Sequence, residues 1–182
     1  MRVGIYGGTF DPINTGHLHL IKKIIAENIA DLLLVVPAGE PRLRESAPVA
    51  SGAQRRTMCQ LAINELPDQI RSKVQVNPIE ILRMGPSYAI DTVEAVKQTY
   101  PDDEIIFIIG SDAFEKIDQW HRIDELRALV KFEVIARPGY QASDARNIGA
   151  LDISATEVRN HLSDQIPASV ATFIRENNLY AS

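Results

Sequence analysis

Apolar residues along the chain follow two alternating patterns, one typical of buried strands and the other of amphipathic helices. Short runs rich in β-branched residues predict strands at residues 1–6, 32–36, 73–76, 104–109 and 132–136. Apolar residues three or four positions apart predict helices at residues 17–30, 51–66, 87–100 and 123–131, a short helix after Ser154 and a last helix from Pro167. Three prolines and clustered charges indicate a loop at residues 37–52.

The order of these elements predicts the fold. Strands that alternate with helices imply right-handed crossovers and a parallel sheet covered by helices on both faces. We therefore expect an α/β protein with a single doubly wound, mostly parallel, Rossmann-like sheet. Residues 1–182 should form one domain, with a C-terminal helical part from about residue 153 to 182 packed on it. Such sheets bind ligands at the carboxyl ends of their strands, which predicts a site built from residues 7–17, 37–44, 110–121 and 137–159.

Composition and charge narrow the class of protein. Lys and Arg total 19 against 24 Asp and Glu, a net charge of −5, so no nucleic-acid partner is expected. The single Cys59 cannot form an internal disulfide. No apolar run reaches the roughly 20 residues of a membrane span, and the N-terminus lacks the pattern of a signal peptide. We expect a cytoplasmic protein without a membrane partner. The sequence leaves open whether the protein forms a homo-oligomer.

The loop after the first predicted strand carries the first chemical signal. It reads GGTFDPINTGH, from Gly7 to His17. Two glycines let the backbone approach a ligand, and the start of the next helix offers free N–H groups to an anion. His17 at that helix start can point at a bound phosphate. The loop is neither the dinucleotide-binding fingerprint nor the Walker A loop, and the structural alternative is a tight turn with a capping histidine.

Further motifs follow in order along nearly the whole chain. GPSYAIDT begins at Gly85, GSD at Gly110 is followed by Trp120, RPG begins at Arg137 and ISATEVR begins at Ile153. With GGTFDPINTGH, this set resembles the nucleotidyltransferases that carry an (H/T)xGH motif. Among them, the chain is most similar to the bacterial nicotinate-mononucleotide adenylyltransferase family.

The resemblance implies a reaction and the residues that serve it. It implies transfer of AMP from ATP to the phosphate of nicotinate mononucleotide, which releases pyrophosphate and gives deamido-NAD for NAD biosynthesis. The acceptor phosphate is itself the nucleophile, so catalysis would come from positioning and electrostatic stabilisation. His17 would contact the α-phosphate, with Asn14 beside it as a neutral hydrogen-bond donor. The nucleotide-binding residues implied are Gly7, Gly8, Thr9, Phe10, Asp112, Ser154, Thr156 and Arg159. The acceptor-binding residues are Tyr88 and Trp120, with Arg42 or Arg44 in place of a lysine that the family has in that loop.

A metal ion is also implied. Mg²⁺ would accompany ATP, held mainly by phosphate oxygens and water, and no residue is assigned to it. Several of the implied residues have structural alternatives. Ser154 with Glu157 is a capping box, as Ser51 with Gln54 is, and Asp112 can cap a helical turn. Tyr88 and Trp120 can simply pack in the core.

The chain departs from the family pattern at three places. Asn14 replaces the first histidine of the HxGH motif. The run from Glu40 to Arg44 lacks the family's Pro-His-Lys, and Ala89 stands where the family has a threonine. The motifs on the acceptor side thus match the family pattern less closely than those on the nucleotide side. Two alternatives follow: a paralogue that uses ATP or CTP on a different phosphomonoester, and a nucleotide-binding module without catalytic activity.

Overall fold

Two parallel sheets contain the strands of the structure, a computed structural model that describes residues 1–41, 46–140, 143–160 and 165–181. The strands are β1 (Arg2–Gly8), β2 (Leu32–Pro37), β3 (Glu40–Pro41), β4 (Val74–Val76), β5 (Pro86–Ser87), β6 (Glu104–Gly110) and β7 (Lys131–Ile135). The larger sheet has the order β4-β2-β1-β6-β7, and every neighbouring pair in it is parallel. The five predicted strands are confirmed, with ends shifted by one or two residues.

Helices connect these strands. They are α1 (Thr15–Ala26), α2 (Gly52–Asn64), α3 (Asp68–Arg71), α4 (Ile79–Leu82), α5 (Ala89–Thr99), α6 (Ser111–Phe114), α7 (Ile123–Leu129), α8 (Ala155–Asn160) and α9 (Ala168–Glu176), with a 3₁₀ turn at Ile117–Gln119. The predicted capping box at the start of α2 is confirmed, because Ser51 Oγ accepts from Gln54 N–H and Gln54 Oε1 accepts from Ser51 N–H.

Two predictions about local structure are wrong. Residues 37–52 are not all loop, because Glu40–Pro41 pairs with Pro86–Ser87 in a small parallel sheet. Ser87 accordingly belongs to β5 and does not begin a helix, and α5 starts at Ala89. The small sheet adjoins the large one through the Ala38 N–H, which donates to Gly8 O at 2.8 Å.

The larger sheet carries a hydrophobic core on each face. Successive side chains of a strand point to opposite faces. In β6, Ile106 and Ile108 pack with α1, α2 and α9, whereas Ile105 and Phe107 pack with α5 and α7. Helices on both faces confirm the doubly wound architecture. Among the described residues, no helix combines the length and apolar character needed to cross a bilayer.

The strand order determines where a ligand can bind. From β1 the chain proceeds outward through β2 to β4 in one direction, and β6 and β7 lie on the other side of β1. The direction of winding therefore reverses between β1 and β6, and their carboxyl ends open a crevice at this point. Gly7 and Gly8 end β1 there, and Gly110 ends β6.

Candidate active site

A cavity of about 660 Å³ lies in this crevice. It brings together ten of the residues predicted for the site: Gly7, Gly8, Thr9, Phe10, His17, Tyr88, Asp112, Trp120, Thr156 and Arg159. Asn14 and Ser154 are not in its lining. Arg42 and Arg44 lie outside the described residues. We call the region around Gly8, Thr9, His17, Arg137 and Arg159 the polar end, and the region around Tyr88, Ala89, Trp120 and His121 the aromatic end.

His17 is fixed at the polar end by the first turn of α1. The Asn14 N–H donates to His17 Nδ1 at 3.0 Å, so the neutral ring carries its proton on Nε2. Burial, reinforced by the nearby charge of Arg137, lowers the pKa of His17 to about 3. The ring of Phe10 packs edge-on against the imidazole with centroids 5.0 Å apart. His17 is thus a neutral hydrogen-bond donor in a fixed orientation at the cavity wall.

Asn14 lies beside His17, as expected, and its side chain caps α1. Its Oδ1 accepts from the N–H groups of Gly16 at 3.0 Å and of His17 at 3.2 Å, which caps α1. The residue is 1% exposed, and its Nδ2 has no hydrogen-bond partner in the described part of the chain. Asn14 thus caps the helix that carries His17, and it is not in the lining of the cavity.

A buried arginine fastens the loop between β1 and α1. Arg55 is 2% exposed, and its guanidinium donates to Thr9 O at 2.8 Å and to Gly39 O at 3.4 Å. A Cβ added at Gly8 would lie 2.8 Å from the ring of Phe10. Glycine at this position therefore lets the loop close over the aromatic ring while its backbone still faces the cavity. The sequence motifs identified Gly8 but gave no signal for Arg55.

Asp11 ties three distant segments to the same loop. Its carboxylate accepts from the N–H groups of Val49 at 2.8 Å and Ala50 at 3.0 Å, and from the Tyr180 hydroxyl at 2.7 Å. Burial and the hydrogen bond to Asp11 raise the pKa of Tyr180. Arg159 Nη1 donates to Asp11 O at 2.7 Å. The C-terminal part of the chain thereby braces the polar end, a role that sequence reasoning did not assign to Asp11 or Tyr180.

Two guanidinium groups give the polar end its positive charge. Arg159 on α8 also donates to Thr156 Oγ1 at 3.2 Å. Arg137, after β7, has its Nε buried without a hydrogen-bond partner among the described residues, and the nearest carboxylate oxygen is Asp112 Oδ1 at 3.8 Å. Sequence reasoning noted the RPG motif but did not include Arg137 among the site residues. With His17, these side chains suit an anion with several oxygens.

Ser154 serves the helix that carries Arg159. Its Oγ accepts from the Glu157 N–H at 3.0 Å, which caps α8, and the side chain is exposed outside the cavity. The geometry therefore agrees with the capping alternative for Ser154. Thr156 and Arg159, further along the same short helix, reach the cavity instead.

The aromatic end has walls suited to a planar ring. The rings of Tyr88 and His121 stack with centroids 4.3 Å apart and a tilt of 32°. Trp120 packs edge-on against Phe107 with centroids 5.8 Å apart. Tyr88 and Trp120 were expected on the acceptor side, whereas His121 was not singled out from the sequence.

Glu80 on α4 holds one wall of the aromatic end. Its carboxylate accepts from Thr92 Oγ1 at 2.8 Å, from the Ser87 hydroxyl and from the Gly39 N–H. Burial nevertheless raises the pKa of Glu80, since these bonds only partly offset the loss of water around the carboxylate. Glu80 thus links β5, α5 and the segment after β2. No sequence motif indicated it.

The chain matches a known family over most of its length. Residues 5–161 match the cytidylyltransferase-like family. The chain is 36% identical to a probable nicotinate-nucleotide adenylyltransferase of Shouchella clausii, over 98% of this chain and 96% of that protein. It is 31% identical to the nicotinate-nucleotide adenylyltransferase of Bacillus subtilis, over 100% of this chain and 99% of that protein.

A solved structure agrees with these matches. The Plasmodium falciparum nicotinic acid mononucleotide adenylyltransferase, complexed with NaAD, superposes with a TM-score of 0.82 at 25% identity, covering 98% of this chain and 97% of the other. The fold, the cavity and the sequence relatives lead to the same assignment. The chain belongs to the nicotinate-nucleotide adenylyltransferases of the cytidylyltransferase-like family.

Proposed function

We propose that this chain transfers the adenylyl group of ATP to the phosphate of nicotinate mononucleotide, releasing pyrophosphate and forming deamido-NAD. The observation that carries the proposal is the neutral His17, held by the Asn14 N–H in a cavity that also contains two guanidinium groups. The names of the sequence relatives support the choice of ATP and nicotinate mononucleotide.

The transfer needs neither a general base nor a covalent intermediate. An ionised phosphate oxygen of the acceptor attacks the α-phosphorus of ATP and forms the new P–O bond. The bond from the α-phosphorus to the bridging oxygen breaks, and its electron pair leaves with pyrophosphate. His17 Nε2–H would donate to an α-phosphoryl oxygen as negative charge grows there. A preorganised donor of this kind contributes roughly 10²- to 10³-fold in rate.

The other residues of the polar end would hold the triphosphate. Arg159 and Thr156 would bind the β- and γ-phosphates, since the guanidinium is always charged and already oriented by Asp11 O. Arg137 would add a second cation beside the reacting phosphates. The backbone of Gly7–Phe10 would face the nucleotide, and Asp112 the adenosine side.

The aromatic end would hold the acceptor. Tyr88 and Trp120 present ring faces and edges that match a flat pyridine ring. Mg²⁺ would enter with ATP and neutralise part of the charge on the phosphates. Phosphate oxygens and water would coordinate the ion. Among the described residues, no three His, Cys, Asp or Glu side chains cluster to hold a metal ion.

The experiment that tests the proposal measures pyrophosphate release with Mg²⁺ across a panel of acceptors. The panel contains nicotinate mononucleotide, nicotinamide mononucleotide, phosphopantetheine and simple sugar phosphates, each with ATP and with CTP. We expect turnover to be highest with ATP and nicotinate mononucleotide. Higher turnover with CTP or with a different class of phosphomonoester would overturn the proposal, and so would an absence of turnover with all pairs.

A further inference from the structure

We infer that Tyr180 positions Arg159 for ATP, because its hydroxyl occupies the Asp11 carboxylate and so leaves the guanidinium charge to the triphosphate. This inference rests on the proposed function, in which Arg159 binds the β- and γ-phosphates. The observation behind it is the arrangement of donors around Asp11. Tyr180 Oη lies 2.7 Å from Asp11 Oδ1, whereas Arg159 Nη1 lies 3.8 Å from Asp11 Oδ2.

Asp11 carries a buried carboxylate whose charge has to be compensated. The residue is 1% exposed, so water cannot replace a hydrogen-bond donor that is lost. In the part of the chain that the structure describes, three donors reach this carboxylate. Oδ1 accepts from the Ala50 N–H at 3.0 Å and from the Tyr180 hydroxyl, and Oδ2 accepts from the Val49 N–H at 2.8 Å. Loss of one of them would leave a buried anion that is short of a partner.

Arg159 is a further donor close to the same carboxylate, but its hydrogen bonds go elsewhere. Its Nη1 donates to the Asp11 backbone O at 2.7 Å, and its Nη2 donates to Thr156 Oγ1 at 3.2 Å. Both acceptors are neutral, and the distance of 3.8 Å to Asp11 Oδ2 is too long for a hydrogen bond. Arg159 lines the cavity with 16% of its side chain exposed. The guanidinium is therefore oriented by the protein, and its charge faces an anion in the cavity.

The tail after α9 places the hydroxyl at this point. The Leu179 N–H donates to Ile174 O at 3.0 Å, and the side chains of Leu179 and Tyr180 pack against the core on the α2 face of the sheet. Tyr180 has a φ of 59°, a left-handed conformation that is costly for a large side chain. Such a conformation persists where its surroundings hold it, as the packed ring and the hydrogen bond to Asp11 do here. Burial and that hydrogen bond also raise the pKa of Tyr180, so the hydroxyl stays a donor at neutral pH.

Removal of the hydroxyl would change the balance between the Asp11 carboxylate and the phosphates. With one donor fewer, the carboxylate would attract Arg159 more strongly, and two anions would compete for one guanidinium. ATP would therefore bind more weakly. The rate of the chemical step should change little, because His17 is held by the Asn14 N–H and not by this cluster.

The test is Tyr180→Phe, which keeps the packed ring and removes only the hydroxyl. The measurements are kcat, the KM for each substrate, the Kd for ATP by equilibrium dialysis, and the urea midpoint. We expect the KM and Kd for ATP to rise about 3- to 10-fold, as for one lost hydrogen bond, with kcat and the KM for the acceptor changed by less than about twofold. Added to Arg159→Ala, the same substitution should change the Kd for ATP by less than about twofold, because its effect passes through Arg159.

Tyr100→Phe is the matched control, because it removes the hydroxyl of a half-buried tyrosine that packs against the opposite core and is not in the lining of the cavity. It should leave all of these constants at their wild-type values. An unchanged Kd for ATP in Tyr180→Phe would overturn the inference, and a lowered urea midpoint beside it would show a merely structural role. An equal rise in the Kd with and without Arg159 would overturn it as well. If the wild type binds ATP but turns over no acceptor, the proposed function fails, while the Kd values still decide the inference.

Discussion

The polar end of the cavity is organised by backbone groups, whereas the aromatic end is organised by side-chain surfaces. At the polar end, His17 is oriented by the Asn14 N–H and Arg159 by Asp11 O. At the aromatic end, Glu80 holds one wall by hydrogen bonds, and the surfaces that face a ligand are rings in contact with each other, Tyr88 with His121 and Trp120 with Phe107. Backbone hydrogen bonds restrict position closely, while stacked rings can be exchanged for other rings with little disturbance.

This difference parallels some of the places where the sequence follows its family or departs from it, although Asn14, which holds His17 at the polar end, is also a departure. The polar end keeps the glycine loop, His17 and the motif that carries Arg159. The aromatic end lacks the threonine hydroxyl at Ala89 and has His121 on Tyr88. Chemistry common to the family therefore depends on the fixed end, and the choice of acceptor depends on the exchangeable one. Substitutions at the two ends should consequently affect different kinetic constants.

Loss of His17 should have the largest effect. In His17→Ala we expect kcat to fall by about 10²- to 10³-fold, because the donor to the transferred phosphoryl group is removed. Steady-state pyrophosphate release gives kcat, and equilibrium dialysis should show a much smaller change in ATP affinity. His19→Ala, on the same helix but outside the cavity, should turn over at the wild-type rate. Near-normal kcat in His17→Ala would remove the catalytic assignment.

Loss of the Arg159 side chain should raise the KM for ATP much more than the KM for the acceptor. In Arg159→Ala the KM for ATP should rise about 10- to 100-fold, since charge-assisted hydrogen bonds to phosphate are lost. The KM for nicotinate mononucleotide should change by less than about threefold. Arg127→Ala is the matched control, because Arg127 is not in the lining of the cavity. Its guanidinium pairs with the Asp118 carboxylate at a distance of 2.7 Å. A larger increase in the KM for nicotinate mononucleotide than in the KM for ATP would contradict the placement of Arg159 at the triphosphate.

Loss of the Trp120 side chain should raise the KM for the acceptor more than the KM for ATP. In Trp120→Ala the KM for nicotinate mononucleotide should rise about 10-fold, because a large ring surface is removed from the aromatic end. Trp120→Phe should recover most of this loss, and the KM for ATP should stay near the wild-type value in both variants. Equal changes in the two constants would contradict the division of the cavity into two ends.

The smallest expected effect concerns stability and pH. Burial lowers the pKa of His17 from its ordinary 6.5 to about 3, so the unfolded chain binds a proton there that the folded chain does not. Stability should therefore decrease as the pH falls from about 6.5 towards 3. Urea midpoints at about pH 7 and about pH 5 should differ less in His17→Gln than in the wild type. The same difference in both proteins would mean that His17 is not buried in its neutral form.

The sheet could be predicted because buried parallel strands leave continuous apolar runs, as in Glu104–Gly110. The two-residue strands Glu40–Pro41 and Pro86–Ser87 could not, since neither is long enough to show a period. Glu80 accepts hydrogen bonds from Ser87 and Gly39 beside this pairing, and such contacts between distant segments leave no pattern in the sequence.

The site was predictable only where local motifs exist. His17, Thr156 and Arg159 lie in such motifs, and the structure places all three in one cavity. The hydrogen bond between Asp11 and Tyr180 joins residues 169 positions apart, and no sequence pattern predicts a contact between them. Arg55 is similar, because it is buried by contacts with Thr9 and Gly39 that exist only in the folded chain.

Asn14 has two structural functions, and together they restrict which residues can replace it. Its side chain caps α1, and its backbone N–H orients His17. A substitution that cannot cap the helix should cost about 1 kcal/mol of stability. It would also remove the side-chain oxygen that accepts from the His17 N–H, and His17 should then be held less firmly. In a library fully randomised at position 14 and selected for growth dependent on this enzyme, the survivors should be enriched in the helix-capping residues Asn, Asp, Ser and Thr, together with His, which the family pattern has at this place. Substitutions at this position should therefore change stability and turnover together.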